Sequence, residues 1–206
     1  QLGKVGGGSV AAQDRLDLFL LGFGRIGRSF VELVGQLPPS GPRIRIVAVA
    51  DRSGVVFDPA GLSPHRLALV AREKAKGHSL RLLDGGAPWN ADFAVKSATR
   101  HALSHPVLVD VTADDTTPVL QNALTHGMDV VLANKKPLAG SQKDAEMLLT
   151  LARQHGRQLR HEATVGAGLP VMDTFAKLIE TGDEVLSIEG CLSGTLGFLL
   201  SELTLG

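Results

Sequence analysis

Apolar side chains recur along this chain with two periods in turn, and the alternation predicts strands and helices in succession. Residues 18–21 are a continuous apolar run, followed over residues 25–36 by a helical pattern that puts Ile26, Phe30, Val34 and Leu37 on one buried face. Pro38, Pro39, Gly41 and Pro42 end that helix. Residues 43–50 alternate at first and then become wholly apolar, as a central parallel strand does. Ser63 and Pro64 open a helix that runs to Lys76 and stops at Gly77. Residues 80–98 have no clear period, and Gly85, Gly86 and Pro88 predict loop around Trp89. Residues 106–111 are a buried strand, residues 117–126 a helix closed by Gly127, and residues 128–133 a further strand. Ser141 with Asp144 makes a capping box for a helix over residues 142–155, which Gly156 stops before a strand at 158–162. The regular alternation predicts an α/β fold: an open parallel sheet covered by helices on both faces.

The pattern changes after Glu162. Residues 163–169 are mostly small, a helix is expected over 170–181 and a strand over 184–192, and Ser193, Gly194 and Thr195 lead into a helix over 196–203. This reads as the start of a second, α+β unit. The expected organisation is a flexible leader over residues 1–15, a nucleotide-binding domain over 16–160 and a partial substrate and dimerisation domain over 161–206.

Between the first strand and the first helix stand Gly22, Gly24 and Gly27, spaced G-x-G-x-x-G. In such a turn the first glycine permits the tight reversal and the second lets a pyrophosphate approach bare backbone. The third allows the helix to pack closely on its strand. The helix N-terminus then offers unpaired N–H groups to the phosphates. An acid is expected about 20 residues further on for the ribose hydroxyls, and Asp51 ends the second strand at that interval. Its plain alternative is a polar strand end. Asp51 argues for NAD, whereas neighbouring Arg52 is the residue type that accepts the 2′-phosphate of NADP. Both stay open, with a lean toward NADP through Arg52.

The composition narrows the classes. The chain has 206 residues, 44% of them hydrophobic, enough for a full core and part of a second. Its 21 basic and 21 acidic side chains cancel, so nothing in the charge points to nucleic acid or to a membrane surface. Tyrosine is absent and Trp89 is the single tryptophan, which weighs against a catalytic tyrosine and against base-stacking platforms. Cys191 stands alone, so neither an intrachain disulfide nor a cysteine-rich metal site is expected, and a reducing, cytoplasmic setting fits. No apolar run reaches the roughly 18 residues of a membrane helix. A start at Gln1 and an end at Gly206, just after an apolar helical pattern, lead us to expect a piece of a longer protein.

Three further stretches carry a resemblance: VVLANKKPLA at 130–139, RHEATVGAGLPV at 160–171 and GCLSGTLGFLLSEL at 190–203. With the glycine turn, they resemble homoserine dehydrogenases in sequence, order and spacing, from about residue 16 to 203. The resemblance implies a Rossmann-type doubly wound domain. It also implies NAD(P)-dependent interconversion of L-homoserine and L-aspartate 4-semialdehyde, on the way to threonine, methionine and isoleucine, in a homodimer. It implies that Gly22, Gly24, Arg25, Ile26 and Gly27 cradle the pyrophosphate, and that Thr112 and Ala113 lie along the cofactor near its nicotinamide. Lys135 matches the first lysine of the family's N-K-K motif, in the reaction centre and touching the cofactor. Glu162, Val165, Ala167 and Leu169 match positions that hold a monovalent, sodium-like cation. Gly194 and Thr195 match a turn lining the pocket between the domains. The family's substrate glutamate, its aspartate and a second essential lysine lie beyond the last helix, so the chain as given is expected to bind cofactor with little turnover alone.

Each assignment has a plainer competitor. Lys135 and Lys136 read without the flanking match are two solvated lysines at a strand end. An isolated glutamate such as Glu162 is commonly a surface residue or a helix-capping partner, although a carboxylate among carbonyls is also a hard-cation environment. His161 has no metal-like i,i+4 partner, which argues against zinc. For the whole chain the competitors are another Rossmann oxidoreductase acting on an amino acid, and a non-catalytic nucleotide-binding module.

Overall fold

The computed structural model describes residues 15–190 and 192–205; the predicted leader up to residue 14 and Cys191 lie outside the described residues. Seven strands form one sheet: β1 (Leu16–Leu21), β2 (Ile44–Asp51), β3 (Gly54–Phe57), β4 (Gly86–Ala87), β5 (Pro106–Asp110), β6 (Asp129–Leu132) and β7 (Leu159–Arg160). Their order across the sheet is β4-β3-β2-β1-β5-β6-β7. The chain winds outward from β1 in both directions, so the order reverses between β1 and β5. A crevice outside the carboxyl ends of the strands belongs at that point.

Both faces of the sheet are covered. Leu18 and Leu20 of β1 point into one core with Val107 and Val109 of β5, roofed by α1 (Arg25–Gly35) and α2 (Pro64–Ala75). Phe19 and Leu21 point into the other with Leu108, beneath α3 (Phe93–Arg100), α4 (Thr117–Thr125) and α6 (Gln142–Gln154). The strict alternation along β1 is the period-2 geometry of an extended strand. In β2 it is broken: Leu18 pairs with Ile46 but Phe19 with Ala48. The extra residue, Val47, makes a bulge, and Val47 and Ala48 consequently enter the same core. The doubly wound Rossmann arrangement is therefore present, with one departure from the all-parallel expectation, since β3 runs antiparallel to β2.

The helix starts follow the sequence. Ser63 accepts a hydrogen bond from the N–H of Arg66 and Ser141 one from that of Asp144, satisfying first-turn donors that a helix cannot pair internally. Gly77, Gly127 and Gly156 end their helices at positive φ. Three expectations are corrected. The buried stripe of α1 is Gly27, Phe30, Val31 and Val34, while Ile26 is 60% exposed and Leu37 40%. Trp89 stands in loop as expected, while the stretch without a clear period, residues 80–98, also contains β4 and the start of α3. Glu162 belongs to a single 3₁₀ turn, Glu162–Thr164, and not to a strand. The segment predicted as a strand over 184–192 is irregular among the described residues, because a strand needs a neighbouring edge to pair its N–H and C=O groups and none is offered there. On either side of it α7 (Val171–Glu180) and α8 (Gly194–Leu205) form as expected, and α7 buries no residue fully. A short helix, α5 (Lys136–Ala139), precedes α6. No helix among the described residues is long and apolar enough to cross a membrane.

Candidate active site at the sheet reversal

A cleft of about 740 Å³ opens where the strand order reverses. One wall is the turn after β1, Gly22 to Gly24; the second is the end of β2, Asp51 to Ser53; the third is the loop after β5, Val111 to Thr116. Trp89 and Lys74 close the remaining side. A second cleft of similar size lies between α1 and α2, beside the first half of β2. It is at the opposite edge of the sheet from the residues discussed below.

The three glycines do different work. Gly22 turns the chain at φ +103°, where an added Cβ would lie 3.0 Å from the carbonyl carbon of Val111 and 3.1 Å from the Thr112 methyl. Gly24 is the N-cap of α1 and has open space where a side chain would be. Gly27 packs so closely that an added Cβ would sit 2.0 Å from the Gly22 carbonyl oxygen. No side chain caps α1 and no acid sits in its first turn, so its terminal N–H groups and positive dipole end are left for an anion. Arg25 and Ile26, on that first turn, are exposed and do not line the cleft.

Asp51 is engaged in a way the sequence reading did not foresee. Its Oδ1 accepts from the Ser53 N–H at 2.7 Å and hydroxyl at 2.5 Å, and its Oδ2 pairs with the Lys74 ammonium at 2.7 Å. Lys74 also donates to the Ser53 hydroxyl at 3.1 Å. The acid is thus largely neutralised by a lysine from α2. A signal for that lysine existed: Leu67, Val70, Ala71 and Lys74 share one helical stripe, so a cation sits on the face that meets the sheet. Arg52 is held only by an exposed ion pair, its side chain 91% exposed and its Nε 3.7 Å from the Asp114 carboxylate. The neighbouring Asp115 carboxyl is held below the usual range by hydrogen bonds from the Thr117 side chain and N–H, with desolvation opposing and Lys136 assisting weakly.

Thr112 and Ala113 line the cleft directly opposite the glycine turn. Lys135, just past β6, is exposed at the same edge of the sheet but does not line the cleft. Gly194, at the start of α8, is also outside it. In the turn from Glu162 to Leu169, Glu162 proves to be a helix-capping carboxylate: it accepts from the N–H groups of Met172 at 3.2 Å and Asp173 at 2.8 Å, at the start of α7. Gly166 and Ala167 both turn at positive φ, 71° and 53°, and the Leu169 carbonyl accepts from the Val171 N–H. Among the described residues no cluster of three His, Cys, Asp or Glu is arranged to hold a metal ion.

Residues 22–162 match the family model described as homoserine dehydrogenase, NAD binding domain. The chain belongs to the homoserine dehydrogenase NAD-binding family. Among curated relatives it is 29% identical to the homoserine dehydrogenase of Methanocaldococcus jannaschii, over 91% of this chain and 56% of that protein. It is 33% identical to that of Paracoccidioides brasiliensis, over 90% of this chain and 49% of that protein. The chain therefore spans about half the length of these homoserine dehydrogenases. Among solved structures, a hyperthermophilic archaeal homoserine dehydrogenase in complex with NADPH superposes with TM-score 0.63 at 22% identity, over 78% of this chain and 47% of that one. A Candida auris protein of unknown function superposes with TM-score 0.73 at 21% identity, over 92% and 50%. At these identities the superpositions establish the fold. The glycine turn, Asp51, Arg52, Thr112, Ala113 and Lys135 all fall inside the span that matches the homoserine dehydrogenase family model, whereas Val165, Ala167, Leu169 and Gly194 fall beyond it.

Proposed function

We propose that this chain is the cofactor-holding part of an NAD(P)-dependent homoserine dehydrogenase, acting on the L-homoserine and L-aspartate 4-semialdehyde pair. The observation that carries the reading is the three-walled cleft, glycine turn, β2 end and Thr112 loop, lying within the family-matched span. The cleft suits a dinucleotide: the open space at Gly24 admits a pyrophosphate against backbone, and the uncapped start of α1 compensates its charge. When bound, the nicotinamide ring supplies or accepts the hydride. Thr112 and Ala113 hold its end of the cofactor against the β5 edge, and Arg25 and Ile26 flank the phosphates from the first turn of α1. Lys135 donates a hydrogen bond and then the proton to the substrate oxygen as the alcohol forms, and withdraws it in the reverse direction.

The adenosine end favours NADP. With Asp51 neutralised by Lys74, the repulsion that an acid exerts on a 2′-phosphate is removed, and exposed Arg52 stands ready as its partner. A monovalent cation is held by oxygens of Glu162, Val165, Ala167 and Leu169. Two of the roughly four lone-pair sites of the Glu162 carboxylate remain after it caps α7, and carbonyl oxygens are hard-cation donors. Gly194 meets the cofactor in the pocket between the domains, residues 161–206 belong to a substrate and dimerisation domain, and the complete enzyme is a cytoplasmic homodimer.

Trp89 makes the test simple, because the single tryptophan lines the cleft. Titration with NADPH and with NADH should quench its emission and transfer energy to the reduced nicotinamide. Binding of neither cofactor would overturn the proposal. In a chain extended to the length of its relatives, Lys135→Ala should abolish turnover and keep cofactor binding; binding without any wild-type turnover would favour a non-catalytic module instead.

A further inference from the structure

Beneath the cleft lies a buried polar network that joins its two halves. Asp110, at the end of β5, is fully buried, and Asn134, just past β6, is 2% exposed. Asp110 Oδ1 accepts from the Thr112 N–H at 2.9 Å and from the Thr112 hydroxyl at 2.7 Å. Its Oδ2 accepts from the Thr116 hydroxyl and from Asn134 Nδ2 at 3.0 Å. A carboxylate has about four lone-pair sites, so these donors use all of them. Asn134 extends the network on both sides: its Nδ2 donates to the Asp114 carbonyl at 2.8 Å, and its Oδ1 accepts from the Lys136 N–H at 3.1 Å. The Asp110 carbonyl also accepts from the N–H groups of Ala133 and Asn134.

We propose that Asp110 and Asn134 act as a pair of positioning residues that lock the cofactor-side loop, 112–116, in fixed relation to the Lys135–Lys136 turn. The proposal rests on the cofactor-binding reading above. Neither side chain lines the cleft floor as a contact residue in its own right. Both act through the groups they hold, Thr112 and Asp114 on one side and the lysine turn on the other. The chemistry makes the coupling directional. An asparagine at 110 offers one oxygen and an NH₂ group where four donors converge. The Thr116 hydroxyl can rotate to accept from that NH₂, but Asn134 can do so only by flipping its amide. The flip turns its NH₂ toward the Lys136 N–H, donor against donor, and withdraws the bond to Asp114. A change made under the cofactor loop is thus delivered to the lysine turn, 24–26 residues further along the chain.

The test combines amide hydrogen exchange with cofactor titration on the whole chain. Asp110→Asn should speed exchange at both Thr112 and Lys136 by about tenfold or more, the ratio equivalent to ~1.4 kcal/mol. The Gly22 amide, bonded to the Ala50 carbonyl where the β1–β2 ladder ends, should stay as in wild type. Asn134→Ala, which removes Nδ2 from the Asp110 carboxylate and from the Thr112 hydroxyl, each 3.0 Å away, should speed exchange at the Thr112 amide as well. Thr116→Val, which removes one hydroxyl from Oδ2, should move the same two amides by less. Each variant should weaken reduced-cofactor binding about tenfold, with the Asp110→Asn and Asn134→Ala effects far from additive when combined. Exchange that rises at Thr112 alone, or equally at Gly22, would overturn the coupling and leave a purely structural role. If Asp110→Asn does not fold, the Thr112 amide in Asn134→Ala and both amides in Thr116→Val decide the matter. Absence of cofactor binding in the wild-type chain would sink the functional reading and leave the exchange result standing.

Discussion

Gly24 and Gly27 stand three residues apart in one turn, yet replacing each by alanine should have opposite consequences. At Gly27 the added Cβ would be 2.0 Å from the Gly22 carbonyl oxygen and 3.1 Å from its carbonyl carbon. That neighbour is backbone, fixed by the hydrogen bond from the Gly22 N–H to the Ala50 carbonyl, so it cannot swing aside as a side chain would. Overpacking typically costs ~1–3 kcal/mol, and a clash against backbone belongs at the upper end. In a chain of this size each kcal/mol moves the melting midpoint by roughly 2–4 °C, so Gly27→Ala should lower it by about 6–12 °C. At Gly24 the Cβ meets nothing within 4 Å and the backbone is extended at φ −80°. Gly24→Ala should therefore change stability by no more than about 1 kcal/mol. Its methyl would nevertheless stand on the wall where a pyrophosphate must reach the backbone, and the dissociation constant for NADPH should rise at least about tenfold. Thermal melts paired with titrations read through Trp89 separate the two effects. A Gly24→Ala chain that binds as wild type would refute the placement of the phosphates, and a Gly27→Ala chain with an unshifted midpoint would refute the packing reasoning.

Arg45 donates to the fully buried Asp17 carboxylate through Nε at 2.7 Å and Nη2 at 2.8 Å, so Arg45→Ala should cost ~3–5 kcal/mol, less whatever Arg15, 3.3 Å from the same carboxylate, recovers. Denaturant melts would show this, and cofactor affinity should stay within about twofold, because the pair lies at the opposite edge of the sheet from the cleft. Arg52→Ala should raise the dissociation constant for NADPH about tenfold and leave that for NADH nearly unchanged; a parallel loss for both would remove Arg52 from the 2′-phosphate. The Glu73 carboxyl is held below its ordinary value by hydrogen bonds from Lys76 and His78. A group with a lowered folded pKa contributes stability above its unfolded pKa and loses it as pH falls through the folded one. Melting midpoints of Glu73→Gln should therefore lie slightly below wild type at neutral pH and converge with it in acid.

What could be read in advance depended on whether a residue's role is set locally or by a partner far along the chain. The β1–α1 turn is local: its glycines, the apolar run before them and the helix after them sit within one short stretch, and each was legible. So were the ends of β2 and β6, where a polar residue closes an apolar run at Asp51 and Asn134, whereas Asp110 stood inside the strand expected over 106–111 and gave no such sign. The β2–β3 hairpin left a weaker trace in Gly54 at φ +141° and the apolar Val55, Val56 and Phe57 after it. Helix α3 hid because its buried face is largely small, Ala94, Val95 and Ala98, and alanines barely mark a period. The strand expected over 184–192 failed for the converse reason: its alternation states only that the segment suits an edge, and an edge must exist for the ladder to form. The same logic explains the site. That Asp51 ends a strand is a local fact, but whether its carboxylate faces a cofactor alone or ion-paired depends on Lys74, a full crossover away on α2. A strand-end acid therefore does not by itself report cofactor preference in this fold. The helix that packs over it must be read at the same time, for a cation on its buried stripe, because that cation decides whether a second phosphate meets an anion or a neutralised pair.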